Sequence, residues 1–128
     1  MMAACFLGRA RAQQAESAIV RELYRLRNEH KADSAARLFA DTVLVYMKYL
    51  RNVPREKIAA ADQLFWKAHP GNRFEITALS QKRNPNGSVI VTVLGKEYLD
   101  GASFKKERIE IQFNQQQKIN SLKGYSVR

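Results

Sequence analysis

The chain has one cysteine and two histidines in 128 residues. A single cysteine cannot close an internal disulfide, and with so few soft ligands a structural zinc site is not expected. Three prolines and six glycines are too few for a fibrous or disordered chain. No apolar run approaches the roughly 20 residues of a membrane-spanning helix. There is no G-x-G-x-x-G, Walker A, C-x-x-C or H-E-x-x-H, and therefore no cofactor or metal signature. What is present is 45% apolar residues, with six phenylalanines, five tyrosines and one tryptophan. That is one domain's worth of chain, and a domain of this size buries about two thirds of its unfolded surface.

Charge of one sign is also scarce. Twelve Asp and Glu face 22 Lys and Arg, a net charge of +10. Such a field attracts polyanions. The basic residues are spread from Arg21 to Lys123 without a block of five or six, which reads as a solvated surface rather than a nucleic-acid arm. Nucleic acid is therefore not the expected partner, and a polyanion-binding module is kept as the third functional reading. Lys123-Gly124-Tyr125-Ser126-Val127 only partly matches an RNA-recognition signature, and Asn86-Gly87-Ser88 reads better as hairpin chemistry than as a glycosylation site.

Residues 1–7 are apolar, and Ala10-Arg11-Ala12 follows, the small-residue pattern of signal-peptide cleavage. Residues 1–13 are read as a signal-peptide remnant or a disordered terminus. The first favours a periplasmic or secreted protein, and the alternative is a cytoplasmic one. Cleavage there would also remove Cys5.

Residues 15–31 form an amphipathic pattern, with Ile19, Leu23 and Leu26 at helical spacing and Val20 and Tyr24 beside them. Asp33 is an expected N-cap for a short second helix. The β-branched and aromatic run 42–50 is expected as one strand. Pro54 opens a third helix carrying Ile58, Leu64 and Phe65, and Pro70-Gly71 stops it. Beyond Gly71 four strands are expected, near 73–81, 88–98, 103–113 and 118–127, with Asn-Gly at 86–87 marking a hairpin. Phe74, Ile76 and Ala78 fall on one side of the first; the second is apolar on both faces. Helices followed by a strand meander argue an α+β fold, a strongly curved antiparallel sheet wrapped around two or three N-terminal helices.

Ala35-Ala36-Arg37-Leu38-Phe39-Ala40-Asp41 is similar to the second-helix end of the nuclear transport factor 2-like superfamily. Val53-Pro54-Arg55-Glu56-Lys57-Ile58, through Phe65-Trp66-Lys67-Ala68-His69-Pro70, resembles the third helix of its small bacterial members. Residues 14–128 thus resemble the SnoaL-like and ketosteroid isomerase-like proteins. The resemblance implies a cystatin-like cone with an apolar pocket, and homodimerisation across the outer sheet face. It hosts enzymes, binding domains and transport factors alike, so it does not decide activity.

Ketosteroid isomerase-like enzymes place an aspartate base on the first strand, where this chain has Met47. A thioether cannot abstract a proton, which argues against that chemistry. Asp62 and His69 share a broad face of the third helix with Ile58 and Phe65, and are the catalytic candidates as an acid/base pair. The competing reading pairs Asp62 with Arg55 or Lys57 and leaves His69 at the helix end. His30 is read as another helix-terminal histidine. Tyr24, Tyr46, Tyr49, Phe65 and Trp66, mostly aromatics with polar tips, are expected at the pocket, with Arg108 as a polar partner if its face points inward. The first reading is a non-enzymatic domain binding a small hydrophobic ligand or a protein. The second is a SnoaL-like isomerase, hydrolase or lyase acting on a small hydrophobic molecule.

Overall fold

The computed structural model describes residues 2–48 and 50–127, with side chains described from residue 15 onward. The cleavage pattern at 10–12 and Cys5 lie outside the described side chains, and Tyr49 lies outside the described residues. Three helices precede or interrupt six strands. They are α1 (Met2–Asn28), α2 (Ala32–Ala36), β1 (Thr42–Met47), β2 (Leu50–Pro54), α3 (Arg55–Ala68), β3 (Arg73–Arg83), β4 (Val89–Tyr98), β5 (Phe104–Phe113) and β6 (Ile119–Ser126).

The strands form one sheet in the order β2-β1-β6-β5-β4-β3. The meander β3 to β6 is antiparallel throughout, as the turn signals require. Asn84 to Ser88 closes the β3–β4 turn with Gly87 at φ +88°, a conformation that favours glycine. The sheet is mixed rather than wholly antiparallel, because β1 returns alongside β6 in parallel, Val45 opposite Ser121.

Three local expectations are corrected. The run 42–50 is not one strand: β1 turns back into β2, with Thr42 opposite Pro54 and Tyr46 opposite Leu50. Met47 takes φ +62° at this turn without a glycine to mark it. Asp33 lies in the first turn of α2, whose N-cap is Lys31 and has no side-chain cap. In β3 the register shifts between Ile76 and Ala78. The extra residue reverses the alternation, so Ala78 is exposed and Leu79 packs on the core.

α1 lays Val20, Leu23, Tyr24 and Leu26 on the inner sheet face, where they meet Phe39, Val43, Ile58 and the inward residues of β4 to β6. Arg21, Arg25 and Glu29 stay in solvent on its other faces, as their phase dictates. A smaller cluster of Ala32, Ala36, Ala59 and Trp66 joins α2 to α3. At the end of α1, the Asn28 side chain acts as a one-residue strand. Its Nδ2 donates to the Phe74 carbonyl at 2.9 Å and its Oδ1 accepts from the Phe74 amide at 2.8 Å. This fixes the helix against the sheet edge. Among the described residues no helix is long and apolar enough to cross a membrane.

Candidate functional site

The site follows from what the strands present inward. Pairing aligns Val89, Phe113 and Ile119 in one row across β4, β5 and β6, and Val91, Ile111 and Leu122 in the next. All six are buried. One row on, Val93 and Ile109 meet Gly124; then Gly95 and Glu107 meet Ser126; then Glu97 faces Lys105. The same inner face that is solid hydrocarbon at one end becomes glycine and charge at the other. A Cβ on Gly95 would collide with the Phe74 ring and the Glu75 carbonyl, so glycine is required where β3 crosses close. Gly124 is under no such constraint: its nearest neighbour to an added Cβ is Ile109 Cδ1 at 3.5 Å.

The change leaves a cavity of about 390 Å³ between the sheet and the ends of α1 and α3. Its walls are Tyr24, Met47, Phe65, Phe74, Ile109 and Leu122. Polar groups reach it from Arg27, Asn28, Asn72, Glu97 and Glu107, with Lys48 and Lys105 exposed at its rim. That volume and that mixture suit a small organic ligand. Among the described residues no cluster of His, Cys, Asp and Glu could hold a metal ion.

Behind the wall lies a buried polar network. Arg27 Nη1 donates to Asp62 Oδ2 at 2.8 Å and to the Tyr46 hydroxyl at 2.7 Å, and that hydroxyl donates on to Asp62 at 2.9 Å. Arg27 and Asp62 are nearly excluded from solvent, 12% and 10% exposed as side chains. Burial opposes the charge on Arg27, but Tyr46 and Asp62 outweigh it and hold the guanidinium above its ordinary pKa. Burial also pushes the Tyr46 and Tyr24 hydroxyls well up, so both stay protonated. Trp66 Nε1 donates to Asn72 Oδ1 at 2.9 Å, and Asn72 Nδ2 donates to Glu97 Oε1 at 3.1 Å. Burial raises Glu97 above its ordinary value, the Asn72 bond opposing it; burial likewise raises Glu107, with Lys48 and Lys105 opposing.

Two expected residues, Tyr24 and Phe65, line the cavity. Tyr46 and Trp66 are buried behind it, committed to the network and to the α2–α3 cluster. Arg108 is on the other face of β5, stacked 4.7 Å from the Tyr125 ring, and does not enter the cavity. Asp62 and His69 are not brought together. Asp62 binds Arg27 rather than Arg55 or Lys57, whereas His69 Nδ1 pairs with Asp100 Oδ2 at 2.8 Å on the surface. The buried stripe of α3 is Ile58, Ala59, Asp62 and Trp66, one step round from the expected face. His30 lies two residues beyond the end of α1, at φ +58°, and stacks on Trp66 at 4.8 Å. Met47, placed at the position of the enzymes' base, does line the cavity.

Sequence reasoning missed Arg27, Glu97 and Glu107. Each continues an apolar phase. Arg27 follows Val20, Leu23 and Tyr24 at helical spacing; Glu97 ends the alternation Val89-Val91-Val93; Glu107 precedes Ile109 and Ile111.

A six-stranded curved sheet with helices on its inner face and a cavity at one end defines the cystatin-like cone of nuclear transport factor 2-like and SnoaL-like proteins. Solved structures show the same fold at low identity. A SnoaL-like protein of unknown function from Burkholderia thailandensis matches with TM-score 0.71 and 15% identity, over 91% of this chain and 97% of that one. A cystatin-like protein of unknown function from Methylobium petroleophilum matches with TM-score 0.71 and 13% identity, over 91% and 78%. The canthaxanthin-binding Orange Carotenoid Protein of Anabaena matches with TM-score 0.71 and 17% identity, over 83% of this chain and 34% of that one. No family model and no curated protein matches the chain.

Proposed function

We propose that the chain is a binding domain for a small hydrophobic molecule, held in the cavity between α1, α3 and the inner sheet face. The observation that carries this reading is the coincident loss of bulk on neighbouring strands. Gly124 and Ser126 on β6, with Glu107 on β5 and Glu97 on β4, stand where continued packing would need large apolar side chains, whereas Gly95 makes room for the Phe74 ring. A cone with no use for the space would gain stability by filling it. The Orange Carotenoid Protein, alike in fold over 34% of its own chain, binds canthaxanthin, and an apolar ligand for this cavity is in keeping with that likeness.

The test is Gly124→Val. Valine suits a strand, and its Cβ meets only ordinary contact. The parent protein is expected to bind a neutral aromatic probe, 1-naphthylmethanol, with 1:1 stoichiometry in calorimetry, and the variant to keep its melting temperature while losing that binding. Equal binding by both proteins contradicts the reading.

The enzymatic alternative, isomerase, hydrolase or lyase, would have to use Glu97 or Glu107. They are the carboxylates at the cavity, and burial gives both a raised pKa. Homodimerisation through the outer sheet face is also proposed. There the row Leu94, Arg108 and Tyr125 is exposed, Leu94 at 42%. Sedimentation as a monomer would count against it.

A further inference from the structure

We propose that the cavity selects ligands bearing a protonated amine, bound by the carboxylates of Glu97 and Glu107 and the hydroxyl of Tyr24. This rests on the reading of the cavity as a ligand site and adds the chemistry of the ligand.

Three observations converge. First, neither carboxylate of the cavity is in an ion pair among the described residues. Arg27 is committed to Asp62 at 2.8 Å, so that pair is neutral. Glu97 accepts one hydrogen bond from the neutral Asn72 amide, and Glu107 has neither a hydrogen bond nor an ion pair among the described residues. Lys48 and Lys105 are exposed, and neither ammonium comes within ion-pairing distance of either carboxylate. In a protein of net charge +10, two half-buried carboxylates outside ion-pairing distance of any cation stand out, with Arg27 acting on Glu97 and Lys48 and Lys105 acting on Glu107 only from farther away.

Second, Tyr24 is 6% exposed, lines the cavity, and its hydroxyl has no hydrogen-bond partner among the described residues. The residue is buried but its hydroxyl is open to the cavity, where a ligand could hydrogen-bond to it. Tyr24, Glu97 and Glu107 line the same cavity. Third, the remaining walls include the rings of Phe65 and Phe74, with Tyr24 and Phe74 stacked at 4.7 Å between centroids. Aromatic faces beside carboxylates are a favourable surround for an organic cation. A neutral or anionic ligand would leave both carboxylates desolvated without compensation.

The test compares three probes of one shape by calorimetry at neutral pH: 1-naphthylmethylamine, 1-naphthylmethanol and 1-naphthylacetate. The amine is expected to bind about tenfold or more tightly than the alcohol, the gain typical of a hydrogen bond to a charged group. Glu97→Gln and Glu107→Gln should each shrink that gap, with an unchanged circular-dichroism spectrum showing that the fold survives. Tyr24→Phe should weaken the amine roughly threefold to tenfold, the worth of a neutral hydrogen bond. Equal affinity for amine and alcohol, tighter binding of the acetate, or a gap unchanged by both Gln variants overturns the inference and leaves the cavity as a general apolar site. If no probe binds, the cavity reading falls with it.

Discussion

The two ends of the inner sheet face are built from the same strands and behave differently. At the closed end, valine, isoleucine and phenylalanine interlock with α1 and are fully buried. At the open end, two rows further along the same strands, glycine, serine and glutamate line a cavity. Backbone geometry is shared, so the difference lies in side chains alone. The closed end supplies stability through apolar burial, and the open end gives some of it up for a concave polar-edged space. The Arg27–Asp62–Tyr46 network stands between them, closing the floor of the cavity with a neutral buried pair.

That boundary is where the largest effect is expected. Arg27→Leu leaves Asp62 buried without its cation and should destabilise the fold by about 3–5 kcal/mol in chemical denaturation. The double variant Arg27→Leu/Asp62→Leu should recover much of that loss, since it removes both charges together. At the closed end, Ile111→Ala opens a hole in a packed core and should cost about 2–5 kcal/mol by the same measurement. If it cost no more than a substitution at the open end, the contrast between the two ends would be lost.

At the open end the effects are smaller and change sign with pH. Burial raises the pKa of Glu97 above its ordinary 4.5, so its charge opposes folding. Its favourable contribution is fully present below pH 4.5 and is lost as pH rises through the folded-state value. Glu97→Gln should therefore melt higher than the parent near pH 7, and the difference should vanish below pH 4.5. A variant that melts lower at pH 7 would mean the carboxylate is stabilised by its surroundings. Smallest of all, Gly124→Val should change stability by less than about 1 kcal/mol, because a strand glycine gives up little when replaced.

The contrast was only half legible in the sequence. The helices, the Asn86-Gly87 hairpin and the meander followed from periodicity and turn chemistry, which are local. The β1–β2 reversal was not legible, because Met47 adopts a left-handed conformation where no glycine announces it. The bulge after Ile76 was hidden within an unbroken strand-like run. At the site, Tyr24 and Phe65 were found through aromatic character. Asp62 was rightly singled out as a polar residue on a buried face, but its partner lies 35 positions away on another helix. Spacing within α3 suggested His69 instead. Glu97 and Glu107 required the register between β4 and β5, which pairs Gly95 with Glu107 and Glu97 with Lys105, and strand parity alone does not supply it.

The central claim is that the open end is a ligand site and the closed end is not. Its most direct test is to follow backbone amide chemical shifts while 1-naphthylmethylamine is titrated into the protein. The account predicts saturable shifts at Gly95, Glu97, Glu107 and Gly124, with Val89, Val91, Ile111 and Ile119 unmoved. Shifts scattered over the outer sheet face, or none at these four residues, would contradict it.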